Sequence, residues 1–227
     1  MELRPRLIAT AVPDRPEAAV LVLHGGGSRR GNMMVSPAQL SVVRMIPIAR
    51  RVAKVGRRRL AVFRLLNSRR GWDTTHTPVE DVGWALERLP ERVGAALPIG
   101  LIGHSLGGRA ALLAGGADGV RSVVALAPFV YPDDATADLS GRQVLVVDAS
   151  EDRIARPALS AAVTRGLART ADVGHVRIVG GRHSMLRHHR LFDGLAASFT
   201  AATLLGDTSN PVVQQILGGD RWLELRP

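Results

Sequence analysis

An apolar run from Pro98 to Ile102 delivers the chain into Gly103-His104-Ser105-Leu106-Gly107, and the segment Arg109-Ala110-Ala111-Leu112-Leu113-Ala114 that follows has high helix propensity. Few folds accept a strand, a Gly-x-Ser-x-Gly pentapeptide and a helix in that order. The turn must be sharp enough to hold the serine, strained, at its tip. Gly103 and Gly107 carry no Cβ, so strand and helix can approach closely there. The hydroxyl then stands clear of the sheet, beside the first N–H groups of the helix. The pentapeptide alone is weak evidence, because glycine and serine are common. Its setting gives it meaning.

The flanking sequence supplies that setting. Ala18 to Leu23 is a continuous apolar run ending in His24-Gly25-Gly26-Gly27-Ser28, as expected of a strand buried on both faces. Residues 38–55 have helical apolar spacing, with a kink or break expected at Pro47. Strands are predicted at 60–66, 99–103, 121–127, 143–148 and 175–179. Helices are predicted at 78–89, ended by Pro90, and at 106–115, 157–169 and 190–205. Leu7 to Val12 reads as one short strand, Pro211 to Leu217 as a short helix, and Trp222 and Leu223 are expected to pack back onto the body. Alternating strands and helices predict an α/β fold, a mostly parallel sheet with helices on both faces and right-handed crossovers. The 227 residues fit one domain spanning 1–227, with its core at about 18–205 and a short tail from 206 to 227.

Composition narrows the partners. The net charge of +10 rests almost wholly on arginine, Lys54 being the sole lysine. Such a field can draw anionic substrates, membranes or nucleic acid, but an arginine-biased surface is the commoner cause. Arg57-Arg58-Arg59 and the Arg-Arg-Gly runs carry no interleaved aromatics, so no nucleic acid is expected as a partner. No apolar run nears the ~20 residues of a membrane span. Met1 to Arg6 precedes no long apolar segment, so a cytoplasmic location is expected. The absence of cysteine excludes disulfides and thiolate chemistry.

An activated serine needs a base, an orienting carboxylate and donors for an oxyanion. Each has a candidate at the carboxyl end of a predicted strand, where open α/β sheets place their sites. His183, in Gly180-Gly181-Arg182-His183, lies just past the last predicted strand and is the expected base. His175 starts that strand at the far edge of the sheet. His188 and His189 open the final helix, His76 sits in a loop, and His104 fills the variable position of the pentapeptide. Asp152 is the expected carboxylate, with Asp148 as runner-up at the strand end and Glu151 in solvent. The donors are the N–H groups of Gly26, Gly27 and Leu106, glycine amides being unshielded by side chains. Met33, Met34, Phe129, Val130, Tyr131 and Met185 could form an acyl pocket, core packing being an equal alternative for each. Arg29, Arg30 and Arg109 lie near the site in sequence and could favour an anionic acyl group, exposed helix and loop arginines being the commoner case.

The set His24-Gly25-Gly26-Gly27, Gly103-His104-Ser105-Leu106-Gly107, Asp152 and His183 resembles the α/β-hydrolase superfamily over about residues 18 to 205. Arg70-Gly71-Trp72-Asp73, with Pro78 and Asp81, is similar to small bacterial members of generic esterase or dienelactone-hydrolase-like type. The resemblance implies an eight-stranded sheet, a Ser105–His183–Asp152 triad and hydrolysis of esters or related acyl bonds through an acyl-enzyme. The short N-terminal segment departs from the family and predicts that a first strand or two is missing or abbreviated. Serine in place of the dienelactone hydrolases' cysteine argues against that specific activity. Between predicted elements only Pro128 to Ser140 is left over, too little for a helical cap. The expectation is therefore a cap-less serine esterase acting on small or medium esters, with no metal or organic cofactor. An acyltransferase or thioesterase would use the same residues, and a non-catalytic binding protein would use the scaffold alone.

Overall fold

Ala18–Leu23 (β2), Leu60–Leu66 (β3), Ile99–His104 (β4), Val120–Leu126 (β5), Gln143–Ala149 (β6) and Asp172–Ile178 (β7) are the apolar runs of the sequence, and they line up as parallel neighbours. A computed structural model gives the protein's structure for residues 4–27, 35–72 and 77–227. The sheet has eight strands in the order β1-β3-β2-β4-β5-β6-β7-β8. Strand β1 (Arg6–Ala11) pairs antiparallel with β3 at one edge, and β8 (Trp222–Leu225) pairs parallel with β7 at the other. One strand thus precedes β2 among the described residues, and at six residues it is as long as β2 itself. The tail, expected only to pack back, completes the sheet.

Side chains alternate between two buried layers. On one face Val20, Val22, Ile102, Val124 and Val147 meet α2 (Met45–Val55) and α6 (His189–Leu205). On the other, Leu21, Leu101, Val123 and Val146 meet α3 (Pro78–Val93), α4 (Leu106–Ala114) and α5 (Pro157–Leu167). Burial on both faces makes the central strands mostly apolar, with Arg64, Arg121 and Asp148 among the exceptions. A last short helix, α7 (Pro211–Leu217), is capped by the Asn210 side chain, which accepts from the Val212 and Val213 N–H groups.

Two prolines act differently from the sequence expectation. The helical stretch of residues 38–55 does break, but at Arg44, between α1 (Leu40–Val43) and α2. Pro47 falls in the first turn of α2, where a backbone N–H has no helical partner to lose. Pro90 stays inside α3, which continues to Val93 and ends on left-handed Gly94. Burial of Val82, Ala85 and Leu89 along one face outweighs the proline's cost. Between β5 and β6 the described residues hold a single 3-10 turn, Pro132–Thr136, and no helical cap. No helix among the described residues is long and apolar enough to cross a membrane.

Candidate active site

Ser105 joins β4 to α4 with φ 57° and ψ −122°, a backbone conformation that side chains other than glycine rarely adopt. The surroundings enforce it. A Cβ on Gly103 would collide with the Gly107 carbonyl, and one on Gly107 would meet the backbone of Leu23 and His24. The elbow is closed by Ser105 N–H donating to Leu126 O (2.9 Å), and by Phe129 N–H donating to Ser105 O (3.1 Å).

The loop after β7 carries His183 to this tip, and the loop after β6 carries Asp152. His183 Nε2 lies 3.0 Å from Ser105 Oγ, and His183 Nδ1 lies 2.8 Å from Asp152 Oδ2. The other Asp152 oxygen accepts the Ile154 and Ala155 N–H groups, each at 2.8 Å. The Asp152 side chain is fully buried and that of His183 is 16% exposed. With both carboxylate oxygens engaged, Nδ1 carries the proton and donates to Asp152. Nε2 is left as the acceptor facing the serine hydroxyl.

The other two candidate acids are committed elsewhere. Asp148 accepts from His175 Nε2 (2.9 Å) and, through both oxygens, from Arg177 (2.9 and 3.0 Å). His175 is thus a buried partner within β7 rather than the start of the strand. Glu151 is exposed, 3.5 Å from Arg182. His188 precedes α6, and the ring of exposed His189 lies against Leu186 O (3.1 Å). His76 lies outside the described residues.

Two buried histidines, whose roles local sequence does not signal, hold the backbone around the site. His24 contacts Gly25 O through Nδ1 (2.7 Å), and its Nε2 accepts from Asn67 N–H (3.1 Å), so Nδ1 is the donor. Burial lowers its pKa. In a planar trans peptide, fixing the Gly25 carbonyl toward His24 turns the Gly26 N–H the opposite way. Gly25 itself lies against the elbow; a Cβ there would be 2.8 Å from His104 O and 3.4 Å from Leu106 N. His104 donates from Nε2 to the His183 carbonyl (2.8 Å), its ring centroid 5.1 Å from that of His183. Burial, helped by the nearby His183, pushes its pKa down to about 4, so the ring is neutral at pH 7. Arg44 adds a third brace, donating from Nε to Ser184 O (3.1 Å) and from Nη2 to Asp193 (2.8 Å) in a buried ion pair.

Ser105 opens into a cavity of about 510 Å³, walled by Gly25 to Gly27, α1, Ile154 and Leu186. The expected pocket residues distribute differently. Phe129, Val130 and Tyr131 line an adjoining hollow of about 330 Å³ that shares Ile154. Met185 is buried in the core beneath the His183 loop. Met33 and Met34 lie outside the described residues, as do Arg29 and Arg30. Arg109 is bound to Asp134 (2.8 and 3.0 Å) and stacked between Trp72 and Tyr131, so its charge is already neutralised. Among the described residues no cluster of three His, Asp or Glu side chains could hold a metal ion.

No protein-family model matches the chain, and no curated protein matches it. Solved structures do. Est1E from Butyrivibrio proteoclasticus, with ferulic acid bound, superposes with a TM-score of 0.64 at 14% identity, over 88% of this chain and 95% of that one. An esterase from Pyrococcus furiosus gives a TM-score of 0.64 at 13% identity, over 89% and 92%. An α/β serine hydrolase without a lid, from Xanthomonas campestris, gives a TM-score of 0.58 at 19% identity, over 85% and 84%. The chain has the α/β-hydrolase fold.

Proposed function

We propose that the protein is a serine hydrolase that cleaves carboxylic esters through an acyl-enzyme. The carrying observation is the hydrogen-bonded chain from Asp152 through His183 to Ser105, ending on a serine held at a strained elbow. Ser105 Oγ attacks the ester carbonyl as its proton passes to His183 Nε2, and the Asp152 carboxylate stabilises the imidazolium. The N–H groups of Gly26, Gly27 and Leu106 receive the oxyanion. Loss of one such donor typically costs about 3–4 kcal/mol in the transition state. Collapse expels the alcohol with the proton from His183. Water, deprotonated by the same nitrogen, then attacks the acyl-enzyme and releases the carboxylic acid. The esterase names among the structural neighbours support the same reaction class.

The test is labelling with a fluorophosphonate, which phosphonylates an activated serine. Labelling of the wild-type chain that maps to Ser105 and vanishes in Ser105→Ala is the expected result. A folded wild-type chain that resists the probe would overturn the reading.

A further inference from the structure

We propose that the mouth of the Ser105 cavity docks on an anionic lipid surface, so that the ester is drawn from an amphiphile aggregate rather than from free solution. This inference rests on the esterase reading of the cavity. Among the described residues seven large apolar side chains are exposed, and four of them, Leu40, Val43, Ile154 and Leu186, line this one cavity. They are 86%, 41%, 58% and 64% exposed. They come from α1, the β6–α5 loop and the β7–α6 loop, so the exposure is a property of the site and not of one poorly packed element. Scattered exposed apolar residues need no explanation, whereas a cluster rimmed by polar groups marks an interaction surface.

The rim fixes the sign of the partner. Arg153 and Arg156 stand in the β6–α5 loop, and Arg187 and Arg190 beside and within the first turn of α6; all four are exposed. None has a carboxylate partner among the described residues, and neither α5 nor α6 has an acid in its first turn. The arginines inside the site are treated oppositely, Arg44 being neutralised by Asp193 and Arg109 by Asp134. Arginine charge without a carboxylate partner therefore collects on the loops and the helix start that flank Ile154 and Leu186, where Glu151 is the exposed acid and faces Arg182. An anionic headgroup layer over an acyl layer has the same radial order. Arginines meet the headgroups while Leu40 and Leu186 enter the acyl boundary, which places the cavity opening against the chains. A nucleic acid would use the arginines and stack on aromatics, but among the described residues no Phe, Tyr or Trp lines the cavity, Phe129 and Tyr131 belonging to the adjoining hollow.

The experiment is co-sedimentation of the Ser105→Ala chain with phosphatidylcholine vesicles, with and without about one quarter phosphatidylglycerol, and with duplex DNA as competitor. Binding to the anionic vesicles should exceed that to neutral ones at least tenfold. It should weaken about fivefold for each of Arg187→Gln and Arg190→Gln. The Leu40→Ser/Leu186→Ser double variant should lose binding as well. Equal binding to neutral vesicles, no binding to either, or anionic-vesicle binding that the apolar double variant retains and DNA displaces would each overturn the proposal. Fluorophosphonate labelling of the wild-type chain separates the failures. Labelling without vesicle binding sinks the docking surface alone, and a folded chain that does not label sinks the esterase reading.

Discussion

His104 illustrates how much one side chain at the elbow controls. Its pKa, pushed down to about 4, means that the folded chain holds the ring neutral while the unfolded chain protonates it near 6.5. The unfolded state therefore binds the extra proton between those values, and stability falls as pH drops through that window. The full difference is about 3 kcal/mol from this group, and buried His24 acts in the same direction. Urea midpoints from pH 7 to pH 4 should show a decline that flattens in His104→Gln. At the same scale Asp152 and Asp148 separate by function. In Asp152→Asn the carboxamide no longer holds the His183 tautomer, and turnover of a soluble ester should fall about 10⁴-fold with little change in unfolding midpoint. Asp148→Ala should do the reverse. Burial alone would raise the Asp148 pKa, but hydrogen bonds from His175 and Arg177 outweigh burial and hold it low. Removing the carboxylate strands His175 in the interior at a cost on the order of 3 kcal/mol, while labelling of Ser105 persists.

Among the elements, the β4–α4 elbow tolerates least. Gly103→Ala would press a methyl group into the Gly107 carbonyl, and backbone on both sides cannot yield. We expect a loss of several kcal/mol, read as a collapsed thermal midpoint or insoluble protein. Among the described residues a Cβ on Gly27 meets nothing within 4 Å, and Gly27→Ala should leave the midpoint within about 0.5 kcal/mol of wild type, which makes it the control. The elements most legible in sequence were those whose burial is two-sided, from β2 through β6, where runs of four or more residues are buried. β8 was not legible. Trp222 to Leu225 alternates between exposed and half-buried, spans four residues and takes its place only from the edge that β7 offers. The course of α3 through Pro90 was equally hidden, since it depends on the surface that Leu89 packs against.

Across the whole molecule, chain order led to the three side chains that the structure hydrogen-bonds, because strand ends deliver Ser105, Asp152 and His183 to one rim of the sheet. Braces spanning large sequence separations left no such trace. Arg44 reaches Ser184 across 140 residues and Asp193 across 149. Arg44→Met should therefore unfasten the His183 loop from α6 and lower kcat more than it raises KM, with partial recovery in Arg44→Lys. The strand order carries a consequence of its own. β1 and β8 lie at opposite margins, seven strand spacings of about 4.8 Å apart, or roughly 34 Å. A peptide bridging those margins in a circularised variant needs at least about ten fully extended residues. A shorter bridge would peel one margin away, whereas cargo attached at both margins would remain on opposite flanks of the molecule.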